Sequence, residues 1–307
     1  MIRDDVTGTV GETPLVELAR LARHHRVGRL LGKLEMRNPC GSVKDRLGLA
    51  LIEDAEARGR LRPGATLVEA TGGNTGIGLA SAAAVKGYRL ILVMPESMSQ
   101  ERAGLLRYLG AEVRFTPGIL MADAVALARD LAGSIPRALL IDQFHNPANV
   151  AVHRTTTAEE IWRDTGGVVD VWISAVGTGG TLTGVAQVLK ARRPSVHVIA
   201  VEPAGAAVLS GRAAGQHRMP GIGVGFIPPL LDRSLVDEVI AVSDEDAFTK
   251  ARQLARLEGI AAGPSSGAAL HAALEVLARS EMAGKTAVAI LPDTGDRYMS
   301  AGLFPDA

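Results

Sequence analysis

The sequence predicts an α/β protein of two lobes, each a twisted, largely parallel sheet with helices on both faces. Three observations predict it. Short apolar runs alternate with helical patterns along most of the chain. The runs are apolar throughout, as strands buried on both faces are. Glycine-rich turns stand at strand-to-helix junctions. At 307 residues the chain is long enough for a large core. One sheet holding all of its strands would be unusually wide, so two lobes with a cleft between them are expected.

The elements follow in order from Asn38. Ser42 and Asp45 have the S-x-x-D spacing of a capping box, which predicts a helix starting near Val43. Thr66–Ala70 reads as a strand and Thr75–Val85 as a helix of small residues. Leu90–Met94 is a buried strand stopped by Pro95, followed by a helix at Gln100–Leu109, a strand at Glu112–Phe115 and a helix at Ala122–Leu131. A strand at Ala138–Ile141 leads to a helix ending near Trp162. In the second half, strands at 169–176, 196–201, 236–242 and 286–291 are separated by helices at about 183–192, 244–257 and 266–279. The turn-rich stretch Asn146-Pro147-Ala148-Asn149 is the best boundary.

Composition narrows the function. Zero formal net charge argues against a nucleic-acid or acidic-membrane partner, and 3% aromatic residues leave few stacking platforms for single strands. No apolar run reaches the length of a membrane span, and Met1-Ile2-Arg3-Asp4-Asp5 lacks the apolar core of a signal peptide. The single cysteine, Cys40, fits a reducing cytoplasm, and the seven scattered histidines form no metal-ligand spacing. No metal is expected.

Four segments carry chemistry. Lys44 falls in the first turn of its predicted helix, beside amides that lack intrahelical partners, where the positive helix end favours the neutral amine. The competing reading is a solvated lysine on an amphipathic helix. Gly177-Thr178-Gly179-Gly180-Thr181 follows a strand and precedes a helix, so its N–H groups can converge on an anion, with the Thr178 and Thr181 hydroxyls added. A dinucleotide site competes, because Glu202 ends the next strand. That motif needs glycine where Leu182 stands, so a single phosphate monoester fits better. A tight turn with no ligand remains the alternative. Thr71-Gly72-Gly73-Asn74-Thr75-Gly76 suits a carboxylate, with an Asn74 amide that could hold a phenolic oxygen; the alternative is a helix cap by Asn74 or Thr75. In Gly263-Pro264-Ser265-Ser266-Gly267, Ser265 or Ser266 is the natural N-cap. A lysine together with a phosphate cradle is the pairing that pyridoxal phosphate needs.

From about Gly8 to Tyr298 the chain resembles the cysteine synthase (O-acetylserine sulfhydrylase) and cystathionine β-synthase family of pyridoxal-phosphate enzymes, fold type II, the fold of the tryptophan synthase β subunit. The motifs occur in the family's order: Asn38-Pro39 with Ser42-Val43-Lys44-Asp45-Arg46, Gly73-Asn74-Thr75-Gly76, Asn146-Pro147-Ala148-Asn149, residues 177–181, Gly221-Ile222-Gly223 with Gly225-Phe226-Ile227-Pro228, and 291–298. The resemblance implies an N-terminal segment, 1–40, crossing to the C-terminal lobe, a smaller mobile substrate-binding lobe at 41–146 and a larger cofactor-binding lobe at 147–307. It implies that Lys44 carries pyridoxal 5'-phosphate, that Gly177, Thr178, Gly179, Gly180 and Thr181 hold its phosphate, that Asn74 bonds the 3′-oxygen and that Ser266 faces the pyridine nitrogen. Thr71, Gly72, Thr75 and Gln143 would form the substrate loop and grip the α-carboxylate.

The implied reaction is a two-step β-replacement with Lys44 as general base at Cα and ping-pong kinetics. The leading expectation is a cytoplasmic cysteine synthase that turns O-acetyl-L-serine and sulfide into L-cysteine and acetate; the Gly221–Pro228 stretch and the length favour it over the larger cystathionine synthases. Alternatives are homocysteine as nucleophile, O-phosphoserine as donor (for which no clear arginine stands near the substrate loops), and a catalytically silent binder of the serine acetyltransferase C-terminal tail. A homodimer is implied by the family alone. The sequence departs from the family pattern T-S-G-N-T-G at Gly72, where serine is usual. That departure removes a hydroxyl donor and opens room for a bulkier second substrate.

Overall fold

The computed structural model describes residues 2–98 and 100–304, without the side chain of Ser300. The chain forms two compact units. One comprises the chain up to Val10 together with Asn38–Asn149; the other comprises Gly11–Arg37 and the chain from Val150 onward.

In the first unit, β3 (Thr66–Ala70), β4 (Arg89–Pro95), β5 (Glu112–Thr116) and β6 (Ala138–Leu140) make a wholly parallel sheet in the order β5-β4-β3-β6. Alternation along the central strands divides their side chains between two helical layers. Leu67, Leu90, Leu92 and Met94 face α2 (Lys44–Ala57), α3 (Asn74–Lys86) and α4 (Gln100–Tyr108). Val68, Ala70, Ile91 and Val93 face α5 (Met121–Ser134). Both faces are therefore covered, and all five residues of β3 are buried.

Helices α2 and α3 cross in backbone contact. A Cβ on Gly48 would overlap the carbonyl carbon of Gly78 and lie 2.6 Å from its oxygen; one on Gly78 would overlap the Lys44 carbonyl oxygen. Only glycine permits this approach. It sets the start of α2, and with it Lys44, against the first turns of α3.

The second unit holds β1 (Leu15–Glu17), β2 (Arg29–Leu34), β7 (Val171–Ala175), β8 (His197–Pro203), β9 (Glu238–Val242) and β10 (Thr286–Leu291) in the order β1-β2-β10-β7-β8-β9. All neighbours are parallel except the edge pair β1–β2. One face carries α1 (Ala19–His25), α9 (Asp244–Glu258) and α10 (Pro264–Leu277); the other carries α7 (Ala158–Thr165) and α8 (Gly180–Arg192). Twelve of the fourteen α10 residues are buried, so this helix is apolar around most of its circumference.

The sequence reading proposed no element before Asn38, and the structure places β1, α1 and β2 there. The segment that joins the second sheet is Gly11–Arg37, whereas the chain up to Val10 belongs to the first unit, so the division differs from the expected 1–40 segment. Pairing of β2 with β10 over six residues holds it there. The switch back falls between Asn149 and Val150. The helix expected to end near Trp162 is three pieces: α6 (Ala148–Val152), a π-helical turn (His153–Thr157) and α7, closed by Gly166 in the left-handed region. Thr155 and Thr156 donate their hydroxyls to the carbonyls of Ala151 and Val152 (3.0 and 2.6 Å), back-bonding that perturbs the ladder at the widened turn. No helix among the described residues is long and apolar enough to cross a membrane.

Candidate active site

Lys44 is the first residue of α2 and is half-buried. The expected capping box does not form: the N-cap is Val43, and the Asp45 N–H donates to the Ser42 carbonyl (3.2 Å). The Lys44 N–H donates to Ser42 Oγ (3.2 Å), but the Asp45 carboxylate reaches past Ser42 and accepts from the Cys40 N–H (2.6 Å). The carboxylate therefore ties the Asn38–Gly41 turn to the helix, and the backbone of the only cysteine serves that turn.

The Thr71–Thr75 junction leaves β3 and enters α3. Neither Asn74 nor Thr75 caps the helix as one reading expected; the N-cap is Gly73, which makes no side-chain cap bond. Thr71 Oγ1 accepts from the Gly73 N–H (3.3 Å). Thr75 and Gln143, both buried, meet here, with Thr75 Oγ1 donating to Gln143 Oε1 (2.7 Å). Gln143 is held at both ends. Its carbonyl accepts from Asn149 Nδ2 (2.9 Å), and its Nε2 lies 3.4 Å from Glu69 Oε1.

Sequence reasoning passed over Glu69. It sits on the buried strand β3, where its Oε2 also accepts from the Asp142 N–H (2.8 Å). Burial pushes its carboxyl up to about 8, against the opposing pull of its hydrogen bonds. The signal for it was a lone acid inside an apolar strand.

Gly72 has no spare room beside it. A Cβ there would overlap the Met98 sulfur and stand 2.9 Å from Met94 Cε and 3.3 Å from Met94 Cβ. The space expected to be free at this position is filled by methionine.

In the second unit, the loop after β7 folds as the glycines require. Gly179 has φ +86°, and its Cβ would lie 2.8 Å from the Leu231 amide nitrogen; a Cβ on Gly177 would overlap the Gly221 carbonyl oxygen. Helix α8 begins at Gly180, earlier than the pattern suggested, and no side chain caps its N-terminus, so its first amides face the loop. Thr178 is buried. Thr181 Oγ1 lies 3.1 Å from Nε2 of His153, a fully buried ring whose Nδ1 lies 2.9 Å from Thr157 Oγ1. His153, too, was missed, because it falls on the π turn that the pattern read as ordinary helix. Leu182, where a dinucleotide loop needs glycine, is a core residue. Glu202 accepts from the Leu209 and Ser210 amides and the Ser210 hydroxyl (2.7, 2.9 and 2.6 Å), so its carboxylate organises its own following turn instead of a ribose.

Neither Ser265 nor Ser266 is the N-cap of α10. That position is Gly263, with Pro264 opening the helix. Both serines are buried inside the first turn, and Ser266 Oγ has no hydrogen-bond partner among the described residues. A buried hydroxyl left unpaired costs about 1–3 kcal/mol.

Residues 6–293 match the family described as pyridoxal-phosphate dependent enzyme. The chain is 49% identical over 315 residues to cysteine synthase A of Escherichia coli K12, covering 99% of this chain and 96% of that protein. The cysteine synthase (OASS) structure from Entamoeba histolytica superposes with a TM-score of 0.96 at 43% identity, covering 100% of this chain and 93% of that one. The structure of O-ureido-L-serine synthase superposes with a TM-score of 0.94 at 42% identity, covering 99% and 96%. The chain belongs to the pyridoxal-phosphate dependent enzymes.

Proposed function

We infer that the protein is a cysteine synthase, replacing the acetoxy group of O-acetyl-L-serine with sulfide to give L-cysteine and acetate. The observation that carries this reading is Ser266: a fully buried hydroxyl at the head of α10 with no partner among the described residues. The residues present fit pyridoxal 5'-phosphate. Ser266 offers a neutral hydroxyl to a ring nitrogen, and the Gly177–Thr181 turn with the uncapped start of α8 offers amides to a phosphate. The bound cofactor supplies the electron sink that lets a Cα proton leave. A hydroxyl at the ring nitrogen, unlike a carboxylate, does not strongly stabilise a protonated ring, which favours prompt β-elimination.

The chain's own residues do the rest. Lys44 would carry the cofactor, and its amine would take the proton from Cα and later return it. Asn74 would bond the 3′-oxygen. Thr71, the Gly72 backbone, Thr75 and Gln143 bind the α-carboxylate. The Thr75 hydroxyl rests on the neutral Gln143 oxygen at 2.7 Å; an arriving carboxylate draws that proton to itself because a charge-assisted bond is stronger. The neighbouring Glu69, with its carboxyl raised to about 8 by burial, stays largely neutral at pH 7 and so does not repel the substrate anion. As part of the same reading we propose a cytoplasmic homodimer that accepts the C-terminal tail of serine acetyltransferase.

Homocysteine as nucleophile is the second reading, favoured by the missing hydroxyl at Gly72. Absorbance spectra of the purified protein, taken before and after O-acetylserine without thiol, test both. The visible band of bound cofactor should change with O-acetylserine and return when the right nucleophile is added, sulfide or homocysteine. A coloured protein that ignores O-acetylserine overturns the donor. Lys44→Ala should lower turnover by roughly 10³-fold or more; substantial residual activity in that variant defeats the assignment.

A further inference from the structure

Strand β4 runs alongside β3 with Val93 opposite Ala70, so Met94 follows at the point where β3 gives way to the Thr71–Thr75 loop. The chain then turns, the Met98 N–H donating to the Pro95 carbonyl (3.1 Å), and brings Met98 back over the same loop. Both methionines converge on Gly72: an added Cβ there would overlap the Met98 sulfur and lie 2.9 Å from Met94 Cε. Met94 is fully buried and fixed in the core, whereas Met98 is only partly buried and packs at its margin. An unbranched thioether is the side chain best able to move aside and refill a gap.

We propose that Met98 is a specificity-determining residue, a movable apolar wall that takes the place of a side chain at Gly72 and admits thiol nucleophiles bearing a short hydrocarbon arm. The inference rests on the reading that this loop holds the acyl-serine substrate. Of the loop hydroxyls, Thr71 Oγ1 accepts from the Gly73 N–H and Thr75 Oγ1 donates to Gln143. Position 72 adds no hydroxyl, and what stands there is a polarisable sulfur. The reaction balances without oxidant or reductant: acetate leaves the β-carbon with the C–O electron pair, the thiolate pair forms the C–S bond, and the thiol proton goes to solvent.

The test compares wild type, Met98→Ala and Gly72→Ser as cofactor-loaded proteins. O-Acetylserine is first titrated against the visible cofactor band without thiol, and then kcat/KM is measured for sulfide, ethanethiol and 1-propanethiol. Met98→Ala should raise the propanethiol-to-sulfide ratio about tenfold, and Gly72→Ser should lower it by a similar factor, within the range one or two methylenes are worth in an apolar pocket. A general loss of stability would scale all three nucleophiles together and leave the ratio unmoved. A ratio unchanged in both variants, with O-acetylserine still shifting the band, overturns the role of Met98. A loaded wild type whose band does not respond to O-acetylserine overturns the substrate reading instead. If Met98→Ala does not fold, Gly72→Ser decides the question alone.

Discussion

His153 Nε2 stands 3.1 Å from Thr181 Oγ1, and Nδ1 of the same fully buried ring is 2.9 Å from Thr157 Oγ1. A Thr157 hydroxyl donating to Nδ1 leaves Nε2–H to donate to Thr181, whose own proton then points to whatever anion the glycine turn holds. In that tautomer the buried ring sets the polarity of the loop.

His153→Leu should therefore weaken the hold on a phosphate-bearing cofactor by about tenfold, the worth of one hydrogen bond. The check is the dissociation constant for pyridoxal phosphate against that for pyridoxal. Loss confined to the phosphorylated form is expected, and an equal loss for both forms counts against the relay.

Ser266→Ala should act with opposite sign in the two states. In cofactor-free protein the substitution removes a buried hydroxyl without a partner and should raise stability by about 1 kcal/mol. In loaded protein it removes a ligand contact and should narrow the gap in melting temperature between the two forms. An equal shift in both forms would show that Ser266 meets no ligand atom.

Glu69 gives stability a pH dependence of known sign. Its folded carboxyl is raised by burial to about 8 from an ordinary 4.5, so between those values the folded chain keeps a proton that the unfolded chain has lost. Its contribution is fully present below pH 4.5 and falls as pH rises through about 8, at no more than about 1.4 kcal/mol per pH unit. Glu69→Gln, a neutral isostere, should flatten denaturant midpoints across that window. A slope identical to wild type would place the titration elsewhere.

Gly48→Ala should destabilise the first unit by about 3 kcal/mol, because the new methyl meets the Gly78 backbone and not a side chain that can turn away. Chemical denaturation measures the cost. Substitution of Gly104, which has nothing within 4 Å of an added Cβ, is the control and should be nearly neutral or stabilising.

Much of the scaffold was legible because parallel strands buried on both faces leave continuous apolar runs. Strands β3 and β10 match their predicted bounds, and the glycine turns stand at the strand-to-helix junctions where they were expected. Less was legible where local rules met tertiary competition. Ser265 and Ser266 have the identity of N-caps, but Pro264 opens α10 and draws both into the buried first turn. Asp45 has the spacing of a capping box, but its carboxylate is taken by the Cys40 amide.

The sequence by itself determined the alternation of strands and helices and the place of the glycine turns, and its motifs, through their resemblance, pointed to the family. The alternation and the turns follow from residue type and spacing along one chain. Only the tertiary structure decided that Gly72 faces methionine sulfur, that Glu69 and Gln143 act on Thr75 and that His153 backs Thr181. Such contacts join residues whose meeting depends on strand register, a π turn and the approach of glycine backbones, and none of these leaves a periodic mark in the sequence.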